Sequence, residues 1–174
     1  MIFYGPTGKG LPSKMLGGGE RGCLRTIELY RRLNIDVVVI EKPTLGRGKK
    51  IFIIEYMITP ILFVTVLMKN RKVPVHIVGF YENQMFYEFI MFLIARMFGR
   101  KTSYELRNGT MVKTFKKHHW LYRRMMQFII EHAAAVLCQG TEYVMFIEQH
   151  WHAHTIYYPN YVLNKYLRPY NAER

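Results

Sequence analysis

The sequence predicts an α/β fold of the Rossmann-like three-layer type, with about six mainly parallel strands and helices on both faces of the sheet. Short β-branched segments alternate with longer apolar or amphipathic segments along all 174 residues. This alternation is the pattern of parallel strands joined by right-handed helical crossovers. Half of the residues are hydrophobic, which is enough for one buried core in a single domain of this length.

The first part of the chain predicts two strands around an amphipathic helix. Residues 2–5 form a short apolar strand, and a loop rich in Gly and Pro follows as far as Gly18. A helix over 19–33 places its apolar positions at helical spacing and its arginines on the opposite face. Asn34 is typical of a helix end. The second strand is 35–40, and its part from 37 to 40 is continuously apolar and β-branched, which predicts a strand covered on both faces.

The middle of the chain is strongly apolar. Residues 51–68 predict a helix with a single charge, Glu55, at the length threshold for a membrane span. A span would separate the second strand from the third, at 75–80, so a buried or interfacial crossover helix is the preferred interpretation. A further apolar helix is predicted over 84–98 and ends at Gly99.

The last part of the chain continues the alternation, with a basic and aromatic helix among its elements. Thr141 is expected to cap the final helix, with Glu142 in its first turn. The predicted strands are 102–106, 134–138 and 155–158, and the predicted helices are 115–132 and 141–150. Ligands of such folds bind at the carboxyl ends of the strands.

Composition limits the classes of function. The net charge of +13 suits phosphorylated substrates, an anionic membrane surface or nucleic acid, but no nucleic-acid module is recognisable, so nucleic acid is not an expected partner. Cys23 and Cys138 lie far apart, which favours buried thiols in a reducing cytoplasm, and no signal peptide is expected.

No metal site is expected. Asp36 is the only aspartate, which excludes Asp-rich metal motifs. His150, His152 and His154 would align in an extended segment, but surface histidines are the preferred interpretation.

Two segments resemble nucleotide-binding motifs, but neither meets every requirement of its motif. Residues 5–10 resemble a P-loop, yet Leu11 and Pro12 follow where Lys and Ser or Thr are needed. Gly17-x-Gly19-x-x-Gly22 fits the dinucleotide fingerprint, and Glu41 stands where a ribose-binding acid would. The fingerprint should directly follow the first strand, whereas about a dozen residues intervene here. An NAD(P)-dependent oxidoreductase therefore remains only an alternative.

The run Gly17-Gly18-Gly19-Glu20-Arg21, which opens a helix after a long Pro/Gly loop, resembles the first loop of GT-B glycosyltransferases, specifically glycosyltransferase family 4. Other segments agree in order and spacing along the whole chain, and they are Leu29 to Val39, Tyr104-Glu105-Leu106-Arg107, Ala134 to Tyr143 and Tyr158-Pro159-Asn160. Two features depart from the family pattern. Arg107 and Asn108 stand where many members have a His, and Tyr161 follows Asn160 where a Gly is usual.

The resemblance implies the N-terminal, acceptor-side domain of a glycosyltransferase in surface polysaccharide synthesis, spanning 1–174. The second domain, which carries most nucleotide-sugar contacts in the family, is not represented, so the chain alone is expected to be inactive. Gly17, Gly18, Gly19 and Glu20 are implied to face the donor phosphates or sugar. Arg107, Asn108 and Lys113 are implied to face a glycan or lipid-linked acceptor. No cofactor is implied, since the nucleotide-sugar is a substrate, and no catalytic residue can be assigned.

A basic and aromatic segment predicts a peripheral location at the inner face of a membrane. Its membrane-facing candidates are Lys116, Lys117, Trp120, Arg123 and Arg124. Cations interspersed with aromatic residues suit an anionic lipid interface. A solvated helix face and a non-catalytic membrane-surface or anion-binding module are the alternatives.

Overall fold

Six strands form a single parallel sheet in the computed structural model, which describes residues 1–80, 84–107 and 111–160. The strands are β1 (Ile2–Gly5), β2 (Val38–Glu41), β3 (Val75–Gly79), β4 (Thr102–Leu106), β5 (Ala135–Cys138) and β6 (Thr155–Tyr157). Their order is β2-β1-β3-β4-β5-β6, and every neighbouring pair is parallel. The predicted Rossmann-like α/β class is confirmed, in the flavodoxin-like strand order extended by one strand.

In the described residues six α-helices accompany these strands, so that strand and helix alternate as predicted. They are α1 (Gly18–Arg32), α2 (Lys49–Lys69), α3 (Met85–Met97), α4 (Met111–Thr114), α5 (Trp120–His132) and α6 (Thr141–His150). The C-terminal turn of α1 ends as expected from the sequence. Asn34 adopts a positive φ of 57°, and the N–H of Ile35 donates to the carbonyl of Tyr30 at 2.9 Å, which closes the last turn.

The helices are distributed unequally over the two faces of the sheet. Alternate residues of β1 point to opposite faces, and Ile2 and Tyr4 belong to the large core cluster with α2, α3, α5 and α6. Phe3 belongs to a smaller cluster with Cys23 and Ile27 of α1. Among the described elements, α1 is thus the helix that covers the second face.

The prediction that the second strand is covered on both faces is wrong. Val38 is 37% exposed and Val39 is 36% exposed. The reason is the strand order, which places β2 at one edge of the sheet. Only Ile40, near the carboxyl end of the strand, is buried.

The prediction of one continuous helix over 115–132 is also wrong. A short 3-10 helix covers Phe115–Lys117, and α5 begins only at Trp120. The Phe115 ring packs at 5.1 Å from the Trp151 ring, measured between centroids. The His119 side chain accepts the N–H of Leu121 at 3.3 Å and caps α5.

A cap prediction at the last helix needs correction as well. Gly140, not Thr141, is the N-cap of α6, and it provides no side-chain cap. Glu142 lies in the first helical turn as predicted.

Candidate functional site at the carboxyl edge of the sheet

The glycine run lies beside the point where the strand order reverses. β1 pairs with β2 on one side and with β3 on the other, and crevices of this kind bind ligands in open α/β sheets. The first turn of α1 reaches this point because Gly19 packs against Phe80, which follows β3. A Cβ atom on Gly19 would approach the Phe80 ring to 2.8 Å.

The start of α1 leaves backbone donors open. Gly17 is the N-cap in extended conformation and provides no side-chain cap, and the first helical hydrogen bond runs from Arg21 N to Gly17 O at 3.2 Å. Within the described ranges, the N–H groups of Gly18, Gly19 and Glu20 therefore have no acceptor. Together with the positive end of the helix dipole they form a candidate anion site.

The glycines of this run allow other groups to approach the backbone closely, and they do not provide unusual backbone angles. Positive φ values in this region occur at Gly8 and Gly10, not in the run itself. A Cβ on Gly18 would meet nothing within 4 Å, so Gly18 is the position at which a ligand has free access to the main chain. A Cβ on Gly22 would overlap the Arg107 guanidinium.

Arg107 joins β4 to the first turns of α1. Its Nε lies 2.6 Å from Glu105 Oε1, its Nη1 donates to Gly19 O at 3.2 Å, and its Nη2 donates to Thr26 Oγ1 at 3.0 Å. The side chain is only 5% exposed. The guanidinium therefore lies behind the glycine run and fixes its position, and it does not point towards an open acceptor side.

Glu105 connects this arginine to a buried histidine. Its second oxygen lies 3.0 Å from His76 Nε2, and His76 Nδ1 lies 3.1 Å from the Tyr30 hydroxyl and 3.2 Å from Ser103 Oγ. Burial opposes ionisation of Glu105, but the hydrogen bonds and charges of His76 and Arg107 outweigh it and lower the pKa of the carboxyl. A buried hydrogen-bond network therefore supports the site, and it connects α1, β3 and β4.

The replacement Glu105→Gln tests this hydrogen-bond network through the pH dependence of the free energy of unfolding. We expect it to lower the free energy of unfolding by about 2 kcal/mol at pH 7, because Arg107 loses its carboxylate partner. A carboxyl with a lowered folded-state pKa stabilises the fold above its ordinary pKa, near 4.5, and this contribution disappears as the pH falls through the folded-state value. The difference between wild type and variant, measured by urea unfolding, should therefore shrink below pH 4.5. A stability difference that stays constant with pH would contradict an ionised Glu105 in the folded state.

Glu41 already has partners within the chain. Its Oε1 accepts the N–H groups of Thr7 at 2.8 Å and Gly8 at 3.0 Å, and its Oε2 accepts the Thr7 hydroxyl. The carboxylate therefore holds the loop that follows β1. This arrangement disfavours the ribose contact that a dinucleotide enzyme would require of it.

The segment after β6 meets the same site. Tyr158 contacts Thr26 through their hydroxyl oxygens at 3.1 Å, and Asn160 exchanges side-chain hydrogen bonds with Gln139 at 3.2 and 3.3 Å. A cavity of about 10 Å³ here is lined by Gly22, Arg25, Thr26, Arg107, Tyr158, Pro159 and Asn160. It is about large enough for one water molecule. The structure thus brings together residues from three distant segments.

The other acceptor-side candidates lie apart from this cluster. Asn108 lies outside the described residues, and Lys113 is exposed on α4. Lys116 and Lys117 lie on the 3-10 helix, whereas Trp120, Arg123 and Arg124 lie on α5. The three α5 side chains help to line an open groove of about 470 Å³ together with Phe115, Gln127 and Trp151.

A second buried network at this edge was not identified from the sequence. Glu88 of α3 forms an ion pair with Lys42 and accepts the Phe80 N–H at 2.8 Å and the Tyr104 hydroxyl at 2.6 Å. Burial lowers the pKa of Lys42, although the charge and hydrogen bond of Glu88 oppose this. The signals in the sequence were a single acid inside an apolar helix and a lysine directly after β2.

Neither the cysteines nor the histidines form a further site. Cys23 and Cys138 are buried free thiols, and burial raises the pKa of each to about 12. His150 and His154 bond to different backbone carbonyls, those of Phe146 and Ala134. The described part of the chain holds no group of three His, Cys, Asp or Glu side chains placed for a metal ion.

Comparisons with protein-family models, curated proteins and solved structures give no match to this chain.

Proposed function

We propose that this chain is the acceptor-side domain of a GT-B glycosyltransferase resembling family 4. The full enzyme would move a sugar from a nucleotide-sugar donor to a glycan or lipid-linked acceptor at the cytoplasmic face of a membrane, in surface polysaccharide synthesis. The observation that carries this proposal is the convergence at the carboxyl edge of the sheet. Gly17 to Glu20, Arg107 and Pro159-Asn160 resemble the family as separate motifs. Arg107 donates to Gly19 O at 3.2 Å, and Arg107, Pro159 and Asn160 line one small cavity.

The chemistry of this half-site is electrostatic. The open N–H groups of Gly18, Gly19 and Glu20 face the donor diphosphate and stabilise the charge that develops on the leaving phosphate. Arg107 holds these donors in place through Gly19 O and Thr26, so little reorganisation is needed when the donor binds. The nucleotide-sugar is a substrate, and no cofactor or metal is part of the proposal.

The proposal is tested by donor binding with the variant Gly18→Ala. A Cβ at this position meets nothing within 4 Å, so the fold should tolerate it, whereas the methyl group obstructs the approach to the backbone donors. Saturation-transfer NMR with UDP-glucose and GDP-mannose should show weak binding by the wild type, because the proposal assigns most nucleotide-sugar contacts to a second domain. The variant should bind about tenfold more weakly, as expected for loss of a hydrogen bond to a charged group.

The matched control is Thr141→Ala, which changes the first residue of α6, another helix with a glycine N-cap. This control should bind both nucleotide-sugars as the wild type does. Equal weakening by the two variants would contradict a site at α1. Saturable binding of NAD instead of nucleotide-sugars would favour the oxidoreductase alternative, and binding of inorganic phosphate alone would favour a non-catalytic anion-binding module.

A further inference from the structure

The most exposed apolar surface of the described chain lies on α2. Only Thr59, Phe63 and Leu67 of this helix are buried. The opposite side carries large aliphatic residues at intervals of three and four, more than half of each exposed, and we call this set the α2 surface: Ile54 57%, Met57 69%, Ile58 54%, Ile61 67% and Met68 61%. A contiguous exposed surface of large aliphatic side chains marks a contact with a partner or a membrane.

Within the described residues, α2 is the one helix long and apolar enough to cross a membrane, yet only 17% of its apolar window is buried. The expectation of a buried crossover helix is therefore wrong, and the interfacial alternative remains. A span is disfavoured because α2 joins β2 to β3 and packs on their sheet through Phe63 and Leu67. Crossing a bilayer would pull these side chains out of the core.

The length of α2 places part of it beyond the sheet. Its 21 residues extend about 31 Å, whereas strands of four or five residues extend about 17 Å. Tyr87, in the first turn of α3, stacks on Tyr56 at 3.9 Å between ring centroids and donates to its carbonyl at 2.7 Å. The turns of α2 before Tyr56 therefore overhang the carboxyl edge of the sheet.

Cations flank the α2 surface at both ends. Lys49 and Lys50 are exposed at its start, and Lys69, Arg71 and Lys72 are exposed at its end. Its only acid, Glu55, pairs with Arg47 at 2.5 Å. The surface therefore presents apolar side chains between positive charges, which complements an anionic lipid bilayer.

A groove at the C-terminal end of α2 provides a place for a lipid phosphate. It has a volume of about 500 Å³ and is lined by Met68, Arg71, Lys72, Phe98 and Arg100. Arg100 donates through Nη2 to Leu67 O at 2.8 Å. Its Nε is buried and has no hydrogen-bond partner in the described part of the chain. The groove thus combines apolar walls with cationic donors.

We propose that α2 docks this domain on an anionic bilayer. The helix lies flat at the interface, the α2 surface enters the boundary of the acyl chains, and the flanking cations and the groove contact lipid phosphates. This docking goes beyond the proposed function and does not depend on it. It also differs from the sequence-based expectation that Trp120, Arg123 and Arg124 face the membrane.

The experiment is vesicle co-sedimentation of the full chain with phosphatidylcholine alone and with phosphatidylcholine and phosphatidylglycerol in about a 2:1 ratio. The wild type should bind the anionic vesicles. The variants Met57→Asp and Ile61→Asp should each weaken this binding by at least about tenfold, because both place a charge in the interface. Both positions are exposed, and circular dichroism verifies that the variants fold.

The matched control is Trp120→Asp, which introduces the same charge at a residue that is 60% exposed on α5. It should retain vesicle binding. Arg71→Ala should weaken binding to anionic vesicles only, and inorganic phosphate at millimolar concentration should not compete. Loss of binding in Trp120→Asp but not in Met57→Asp would overturn the proposal. A dimer in sedimentation velocity that Met57→Asp dissociates, without vesicle binding by the wild type, would overturn it in favour of a second copy of the chain.

Discussion

Replacement of Glu88 by Leu should lower the free energy of unfolding by about 3–5 kcal/mol, the cost of leaving a buried charge without its partner. Lys42 is 2% exposed and Glu88 is fully buried. The Phe80 N–H and the Tyr104 hydroxyl lose the same acceptor. Urea unfolding at pH 7 measures the effect.

The double variant Lys42→Met with Glu88→Leu is the control for this pair. It removes both charges and should be more stable than Glu88→Leu alone by about 2 kcal/mol. A double variant whose loss equals the sum of the two single losses would contradict the buried ion pair.

The lowered pKa of Lys42 also makes the free energy of unfolding depend on pH. A lysine with a lowered folded-state pKa binds fewer protons in the folded state than in the unfolded state over the interval below its ordinary value of 10.5. Its contribution to stability therefore rises with pH across that interval. Glu88→Leu should extend the rise to lower pH, because the carboxylate that favours the charged lysine is gone and the folded-state pKa of Lys42 falls further.

Replacement of Gly79 by Ala should have the second large effect. A Cβ atom at this position overlaps the ring and hydroxyl of Tyr104, which is fully buried. Overpacking of a rigid core side chain costs about 1–3 kcal/mol, and displacement of Tyr104 adds the loss of its 2.6 Å hydrogen bond to Glu88. We expect a loss of about 3 kcal/mol in the free energy of unfolding.

The companion variant for this prediction is Tyr104→Phe combined with Gly79→Ala. Removal of the hydroxyl relieves part of the overlap, so the pair should couple and lose less than the two single losses added together. Additive losses would show that the Gly79 Cβ is accommodated without moving Tyr104. Thermal unfolding followed by circular dichroism is sufficient for the comparison.

The α/β alternation and most element boundaries were predictable because they depend on local patterns. Asn34 is an example, since an asparagine after an amphipathic helix can adopt the positive φ that ends it. The exposure of Val38 and Val39 was not predictable in this way. A β-branched run has the same composition in a central strand and at an edge, and only the strand order decides which of the two it becomes.

The candidate site shows the same division between local and distant information. The run from Gly17 to Gly19 was identified from the sequence as a place of close approach. The absence of a side chain at Gly22 is explained by a residue 85 positions away, because a Cβ there would overlap the guanidinium of Arg107. The placement of Arg107 on the acceptor side was an implication of the family resemblance. The buried carboxylate of Glu105 turns it inward instead.

The small contact of α1 with the sheet has a consequence for local opening. Few apolar side chains hold this helix, chiefly Cys23 and Ile27 against Phe3 and Val78, so it can detach locally at a lower free energy than global unfolding requires. Amides of α1 are then expected to exchange with solvent before those of the central strands. A ligand that contacts Gly18 and the sheet together would oppose this opening, and part of its binding energy would appear as greater order of the helix.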